Sequence, residues 1–586
     1  MTFHRELFFL LEQSAKRCAE EEGFDLENDL QLQKFQQTIE QRKASSLPEI
    51  IGDYQSLLNR QGPVQIECRW MNSFSEKEFS AVGLAHYFPK IYRGLPRLYH
   101  REDLGRSSIK KNFRNLVDLK RLTVDRAVFS LYEGKIPLCS RKIGILTHVL
   151  PDGWGDWVAG MEAASILAAK WPFLEIHLFA ASSKELPCEN LPFAVHQFPL
   201  EEPPKQLNEM DFLLQIPTLF PEKIRLMPNV EKIGEYGFLE SQWFHPKSGN
   251  RSMGLHVLEK GIFIRKIGRG SFAEIEKKTL LQTLFKTETP SPLEIEAYRQ
   301  KKHFHLAYLA TPRGGAIYLH SLLKMHERDE KDIDLCCPDL RWLIRRLQEE
   351  NHLLVQPFGV REIEVLFEGQ VHRIPIGDLG KTVRILSPGL LSQADMRRLI
   401  SLSEDWIAVR GNQSLSEVIS AKKAFFYDGC NHARYFVKDL SALAENRLYE
   451  HRGALRAFRM MGQAFLWNLP EDVAEWVEES HFQREERLPW FEIATELGAS
   501  LQEQDTLVGF KKICTLISEE HSFSPFLCHL LERELFHAEN PLVREAEEQL
   551  VQLYATAQIS FSTLVKNLRL RIVRNARCIQ QEVGPL

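Results

Sequence analysis

Two short stretches of this 586-residue chain carry residue types that could do chemistry at a useful spacing. The first is Asp152-Gly153-Trp154-Gly155-Asp156, two carboxylates four residues apart with glycines between them. Glycine lets a backbone turn sharply and approach a ligand closely. One reading is structural: Asp156 directly precedes a helical run and is placed to cap it. The other is catalytic: one carboxylate acts as general base while its neighbour orients an acceptor, which requires a reach of about 3 Å. The second stretch is Arg410-Gly411-Asn412-Gln413-Ser414-Leu415-Ser416-Glu417, which follows a strand-like run and opens a helix. A helix N-terminus with exposed N–H groups, a hydroxyl and an arginine suits an anion. Arg410 offers a fork of donors to diphosphate oxygens. Ser414-x-x-Glu417 also has capping-box spacing, and a cap leaves further N–H groups for a phosphate.

Weaker features surround these. Thr311-Pro312-Arg313-Gly314-Gly315 is a second glycine turn after a strand; Arg313 could touch phosphates there, although a glycine pair is more often just a turn. His303 and His305 share a strand face, with Cys336 and Cys337 nearby in sequence, but a zinc site needs ligands from four directions, so core or surface roles are the expectation. Lys566 to Arg577 is basic with alternating apolar residues and reads as a solvated helix face.

The elements that must position these residues separate by hydrophobic period. Residues 1–141 read as a mostly helical region, with VQIECRW from Val64 as a short strand. At Lys142 the texture changes. KIGILTHVL is a strand, PDGWGD a turn, WVAGMEAASILAAKW an alanine-rich helix and LEIHLFAA a strand, which together make a βαβ unit on a parallel sheet. FLLQIP and KIGEYGF continue it. Near Lys302 a second such unit begins: HFHLAYLA, the TPRGG turn and AIYLHSLLKMH, then strands at DIDLCC, HLLVQPF and KTVRILS. DLRWLIRRLQEE reads as a helix between them. ADMRRLISLS, DWIAVRG, QSLSEVISAKK, AFFYDG and HARYFVKDLSALAENR alternate helix and strand to its end. The expected fold class is therefore α/β: two Rossmann-like domains, 142–290 and 291–447, with helical regions at 1–141 and 448–586. The last region includes one long helix from Arg544. Ligands in open parallel sheets sit outside the carboxyl ends of strands, so the two domains are expected to face each other across a cleft.

Composition narrows the class. Lys+Arg total 74 against 79 Asp+Glu, a net charge of −5, which argues against a surface built for nucleic acid or anionic membrane. With 44% hydrophobic and 26% charged residues, a disordered or collagen-like chain is excluded. The ten cysteines are dispersed without a CxxC, as in a reduced, cytoplasmic protein. No hydrophobic signal core and no 18-residue apolar stretch occur, so no membrane span is expected; a secretion signal of a non-hydrophobic kind would leave no such trace.

The run from Ile143 to Ala164, with the stretches after it, resembles the bacterial protein-arginine rhamnosyltransferase family that modifies elongation factor P. That family's opening loop has the form Asp-Asn-Tyr-Gly-Asp-Ile-Gly with two catalytic aspartates, which puts Asp152 and Asp156 in those roles and Gly155 between them. Glu235-Tyr236-Gly237-Phe238-Leu239-Glu240 is similar to the family's Glu-Tyr-Leu-Ser-Ala-Glu. Arg410 to Ser414 is similar to its Arg-Gly-Glu-Asp-Ser, which holds the nucleotide diphosphate; an aromatic strand with Tyr427, and then His432, follow in the same order. The resemblance covers about 142–445. In this chain Asn412 and Gln413 replace two carboxylates. The resemblance implies a GT-B glycosyltransferase, with 142–290 on the acceptor side and 291–447 on the nucleotide-sugar side. It further implies inverting transfer from a nucleotide sugar such as dTDP-rhamnose to a protein side chain, arginine in that family. Asp152 and Asp156 would be catalytic. Arg410, Gly411, Asn412, Gln413, Ser414 and Tyr427 would bind the donor, with Gly155, Glu235, Glu417 and Arg313 in support. No DxD motif of the ion-holding sort is evident, so no metal and no cofactor beyond the co-substrate sugar nucleotide is expected. Two alternatives stay open: an inactive GT-B-like interaction scaffold, and a transferase with a glycan or small-molecule acceptor.

Overall fold

A computed structural model of the chain describes residues 124–135, 141–149, 154–187, 191–217, 230–234, 251–255, 259–309, 311–338, 358–367, 370–389, 391–429, 433–466, 488–555, 558–559 and 561–583. The N-terminal helical expectation and the strand at Val64 lie outside them, save for residues from Val124 onward. The described residues form two compact units. One runs to Ile262 and resumes at Phe523; the other is Phe263–Ser522.

The first unit holds strands β1 (Lys142–His148), β2 (Glu175–Ala181), β3 (Ala194–Phe198), β4 (Phe212–Gln215), β5 (Val230–Gly234) and β6 (Arg251–Ser252), in the order β3-β2-β1-β4-β5-β6. The pairs are parallel throughout. This is the doubly wound 3-2-1-4-5-6 order, whose connections reverse between β1 and β4. Ile143, Ile145 and Leu146 of β1 are fully buried, as a strand covered on both faces requires. Helix α1 (Gly155–Lys170) crosses back over the sheet, and its small residues let it lie close. A Cβ at Gly160 would sit 3.0 Å from the Thr147 methyl group, so glycine sets that approach. Behind β1, Leu146 packs with Phe179, Phe198 and Leu213.

The second unit holds β7 (Lys302–Leu306), β8 (Asp332–Cys336), β9 (Val360–Phe367), β10 (Gln370–Pro375), β11 (Lys381–Leu386), β12 (Ile407–Val409) and β13 (Phe425–Tyr427). The sheet runs β10-β9-β11-β8-β7, with β10 antiparallel to β9 and the other pairs parallel. A parallel bridge between Ala307 and Ala408, with Tyr308 N donating to Ala408 O at 2.8 Å, carries the order on to β12 and β13. Apart from the β9–β10 hairpin, the order is again 3-2-1-4-5, reversing between β7 and β12. Helix α2 (Pro312–Met325) follows β7, and helix α3 (Asn412–Ser420) follows β12.

The two Rossmann-like sheets expected from the sequence are therefore present, but the units divide elsewhere than at 290/291 and 447/448. Residues 263–290 pack into the second unit. Phe272 and Phe285 contact Tyr298 and, through Phe272, Phe304, and Glu276 N and Lys277 N both donate to the buried Asp395 at 2.8 Å. The C-terminal helices split. Arg452–Leu466, Trp490–Leu501 and Gln504–Glu520 cover the second unit, where Phe458 and Phe510 pack on Phe425. Ser524–Glu539 and its successors return to the first unit, where Phe526 stacks on Phe129 and Arg141 pairs with Glu539. The long helix expected from Arg544 is two helices, Pro541–Ala555 and Phe561–Val583. The β9–β10 hairpin and β3 were not expected from the sequence, and DLRWLIRRLQEE, EDVAEWVEE and nearly all of HLLVQPF lie outside the described residues. Among the described residues, no helix is long and apolar enough to cross a membrane.

Candidate functional site

In the second unit three strand ends meet where the order reverses. Asp428, fully buried after β13, accepts from Thr311 N at 2.8 Å and from the Thr311 hydroxyl at 2.7 Å. Its own backbone N donates to Val409 O at 2.8 Å, so the ends of β7, β12 and β13 are tied through one residue. Thr311 is also the N-cap of α2, its hydroxyl accepting from Gly314 N at 2.9 Å. A Cβ at Gly314 would lie 2.0 Å from Asp428 Oδ1, so this turn needs glycine for close approach rather than for flexibility. Arg313 is exposed on the first turn of α2.

Beside this turn, Arg410 is exposed at the end of β12 and Gly411 is the N-cap of α3. No side chain caps α3, and the space where a Gly411 Cβ would project is open to 4 Å. The helix start thus presents backbone N–H groups and the positive end of its dipole directly after the exposed Arg410. Asn412 faces inward: its Oδ1 accepts from the buried Tyr427 hydroxyl at 2.5 Å. The Gln413 amide nitrogen is buried without an acceptor among the described residues. Ser414 is the third residue of α3, inside the helix, so the expected capping box does not form. Glu417 instead turns into the unit, 3.0 Å from Arg397 Nε and 3.6 Å from Arg265 Nη1. Burial pushes its carboxyl above the usual range although Arg397 beside it pulls the other way.

Upstream of this cradle stands a residue that periodicity does not reveal. Trp406 is fully buried at a left-handed φ of 76°, a conformation that costs a non-glycine residue about 1–3 kcal/mol. Its N–H donates to Ala424 O at 2.9 Å, its indole N–H to Ser321 Oγ at 3.0 Å, and its carbonyl accepts from Tyr318 at 2.8 Å. These contacts fix where β12, and hence Arg410, begins. Asp332 and Asp334 flank Ile333 on β8, but Asp334 is fully buried and bound by Arg384 and Tyr298, so that pair is structural.

In the first unit Asp156 is the second residue of α1 and half-buried, and its backbone carbonyl accepts from Thr147 Oγ1 at 2.9 Å. The N-cap is Trp154, with no side-chain cap, so Asp156 does not cap the helix in the sense expected. Its carboxylate lies in the first turn, where the helix dipole favours negative charge. Gly155 is exposed with open space at its Cβ position. Trp154 is 40% exposed and carries Lys184 Nζ 4.1 Å above its ring, which brings the loop after β2 to the same edge. His148, at the end of β1, has its pKa lowered by burial and stays neutral at pH 7. Thr147, Lys184 and His148 were missed because a strand end gives no motif. Asp152 and Glu235 lie outside the described residues, as does His432.

No family model matches the chain, and no curated protein matches it. Solved structures similar to it include a glycosyltransferase from Rickettsia africae ESF-5, at 10% identity and a TM-score of 0.32, over 67% of this chain and 98% of that one. Another, titled as trehalose-6-phosphate from E. coli bound with UDP-2-fluoro glucose, is 10% identical with a TM-score of 0.29, over 65% and 99% of the two chains. A third is MurG from Acinetobacter baumannii, 10% identical with a TM-score of 0.29, over 65% and 100%.

Proposed function

We propose that the chain is a glycosyltransferase of the two-Rossmann, GT-B class that uses a nucleoside-diphosphate sugar. The observation that carries this reading is the start of α3. An uncapped helix N-terminus, an exposed arginine and a buried amide donor stand at the point where the strand order reverses, which is where open α/β sheets bind ligands. A leaving nucleoside diphosphate gains negative charge as the glycosidic bond breaks. Arg410 and the first N–H groups of α3 are the groups to stabilise it, without a metal in this step. Asn412, Gln413, Ser414 and Tyr427 shape the cradle, with Arg313 at its edge and Glu417 holding α3 from inside.

Asp156, with Asp152, is the acid pair that handles the acceptor. An arginine acceptor keeps its proton up to a pH above about 12, so a carboxylate must orient the guanidinium, localise its charge and take a proton as the new bond forms. Attack opposite the departing diphosphate inverts the anomeric centre. Protein arginine as acceptor and dTDP-rhamnose as donor are the finer part of this proposal, which rests on the motif order. The test is a panel of UDP-, GDP- and dTDP-sugars, read by thermal shift and by donor hydrolysis. A true donor at a hundredfold excess over its dissociation constant stabilises the fold by about 2.7 kcal/mol. If no sugar nucleotide shifts the melting temperature, and Asp156→Ala and Arg410→Ala match the parent protein, the enzyme reading fails.

A further inference from the structure

The second unit carries a histidine and carboxylate cluster at the opposite ends of its strands from the α3 cradle. His303 and His305 project from the same face of β7. His326 closes the C-terminal end of α2, Asp329 follows it, and Glu404 sits in the turn before β12. Loops that lead from a helix into a parallel strand lie at the amino ends of the strands, whereas Thr311 and Arg410 follow carboxyl ends. The two clusters are therefore separate sites.

The side chains converge closely. His305 Nε2 and His326 Nε2 are 3.0 Å apart, and both rings are buried. One ligand atom from each of His305, His326 and Glu404 lies within 4.8 Å of the other two. Around a zinc ion with Zn–N distances near 2.0–2.1 Å, tetrahedral ligand atoms stand about 3.3 Å apart, so small side-chain shifts close the set. His303 completes the arrangement. Its Nδ1 is 2.8 Å from both oxygens of Glu404, and its Nε2 is 2.7 Å from Asp329 Oδ2. Its ring stacks on that of His326 at 4.1 Å. A carboxylate has about four lone-pair sites, so Glu404 can bind a metal while it accepts from His303. Lys381 Nζ donates to the carbonyls of His326 and Asp329, fixing the backbone that carries them.

We propose that His305, His326 and Glu404 bind one divalent transition-metal ion of the zinc type, with His303 and Asp329 as the outer hydrogen-bonding partners that orient Glu404. Two imidazoles and a carboxylate are a donor set that suits zinc, and outer partners of this kind set ligand orientation. The ion would tie β7, the end of α2 and the turn into β12 at one point. Those three elements carry the Thr311 turn and Arg410 at their other ends, so the metal lies apart from the α3 cradle, with three protein ligands and its fourth position left to water.

The test uses the full chain, stripped with a chelator and dialysed against zinc(II) or cobalt(II). The expected result is about one equivalent of zinc per chain by elemental analysis, and a visible cobalt d–d spectrum from a nitrogen and oxygen site. His326→Gln and Glu404→Gln are expected to lose that equivalent or weaken it by tenfold or more, while His372→Gln, on the exposed strand β10, keeps it. Wild-type protein that takes up no more zinc than His326→Gln overturns the proposal, as does a loss in His372→Gln equal to that in His326→Gln. Should the buried-site variants fail to fold, the zinc stoichiometry and cobalt spectrum of the wild type still decide: no equivalent and no spectrum overturn it.

Discussion

Asp428 accepts two hydrogen bonds from Thr311, 117 residues earlier in the chain, at 2.8 Å from the backbone N and 2.7 Å from the hydroxyl. A fully buried aspartate so placed makes the first turn of α2 and the end of β13 one structure.

That relationship predicts the outcome of adding one carbon at Gly314. The new Cβ would meet Asp428 Oδ1 at 2.0 Å and Thr311 Oγ1 at 2.7 Å, so the carboxylate must leave its partners. Gly314→Ala should cost about 1–3 kcal/mol, the usual range for overpacking, and should lower nucleotide affinity as well. Chemical denaturation and nucleotide titration measure the two. Unchanged stability would mean that the Thr311–Asp428 link yields without cost.

Tyr427→Phe removes the donor to Asn412 Oδ1 and nothing else of the side chain's volume. The expected loss is about 1 kcal/mol of stability, the typical net worth of one hydrogen bond. With Asn412 released at the start of α3, donor affinity should fall, while Arg410→Lys should fall further, because an ammonium cannot reproduce the guanidinium fork. Calorimetric titration of a nucleoside diphosphate ranks the three proteins. Equal affinities would remove the cradle from the donor site.

Asp156→Asn separates chemistry from folding. The residue is half-buried in the first turn of α1, where its charge is worth about 0.3–1 kcal/mol to the helix. A catalytic carboxylate contributes on the order of 10²–10⁴ in rate. Turnover should therefore collapse while the melting temperature shifts by only a few degrees. A large loss of stability with turnover retained would make the residue structural.

In the first unit Glu547 is fully buried. Burial works to raise its carboxyl, but Arg533, 2.8 Å away, and His537 hold it down to about 2 against a usual 4.5. A depressed carboxylate contributes stability above its unfolded pKa and loses it as pH falls toward the folded value. About 3 kcal/mol should be present at pH 7 and disappear between pH 4.5 and 2. Glu547→Gln should lose stability at pH 7, because the buried Arg533 loses one of its carboxylate partners, and should show a flatter acid dependence across that window. Urea titrations at pH 7, 4.5 and 3 test it; parallel acid dependences in the two proteins would refute the assignment.

Local pattern explains what could be read in advance. The β-branched run from Lys142, the alanine-rich helix after it and the alternation from Ala394 to Arg447 gave most strands and helices of both sheets, because each is set by residues a few positions apart. The β9–β10 hairpin was missed because its strands are rich in charge and β10 lies at the edge of its sheet, where solvent accepts them. The capping box at Ser414 and Glu417 misled for a related reason. Ser-x-x-Glu spacing does not say where the helix begins, and the end of β12 starts α3 at Asn412, which leaves Ser414 inside and sends Glu417 to Arg397 and Arg265.

Residue order along the chain thus established the parallel α/β class, the turns after β7 and β12, and the arginine that precedes α3. Folding alone settled the strand orders, the division after Ile262, the return of the last helices to the first unit, and the meeting of Thr311, Val409 and Asp428. Helical period and turn preference act over a few residues, whereas a buried carboxylate or aromatic finds its partner by desolvation, across a hundred residues or more, wherever packing can satisfy it.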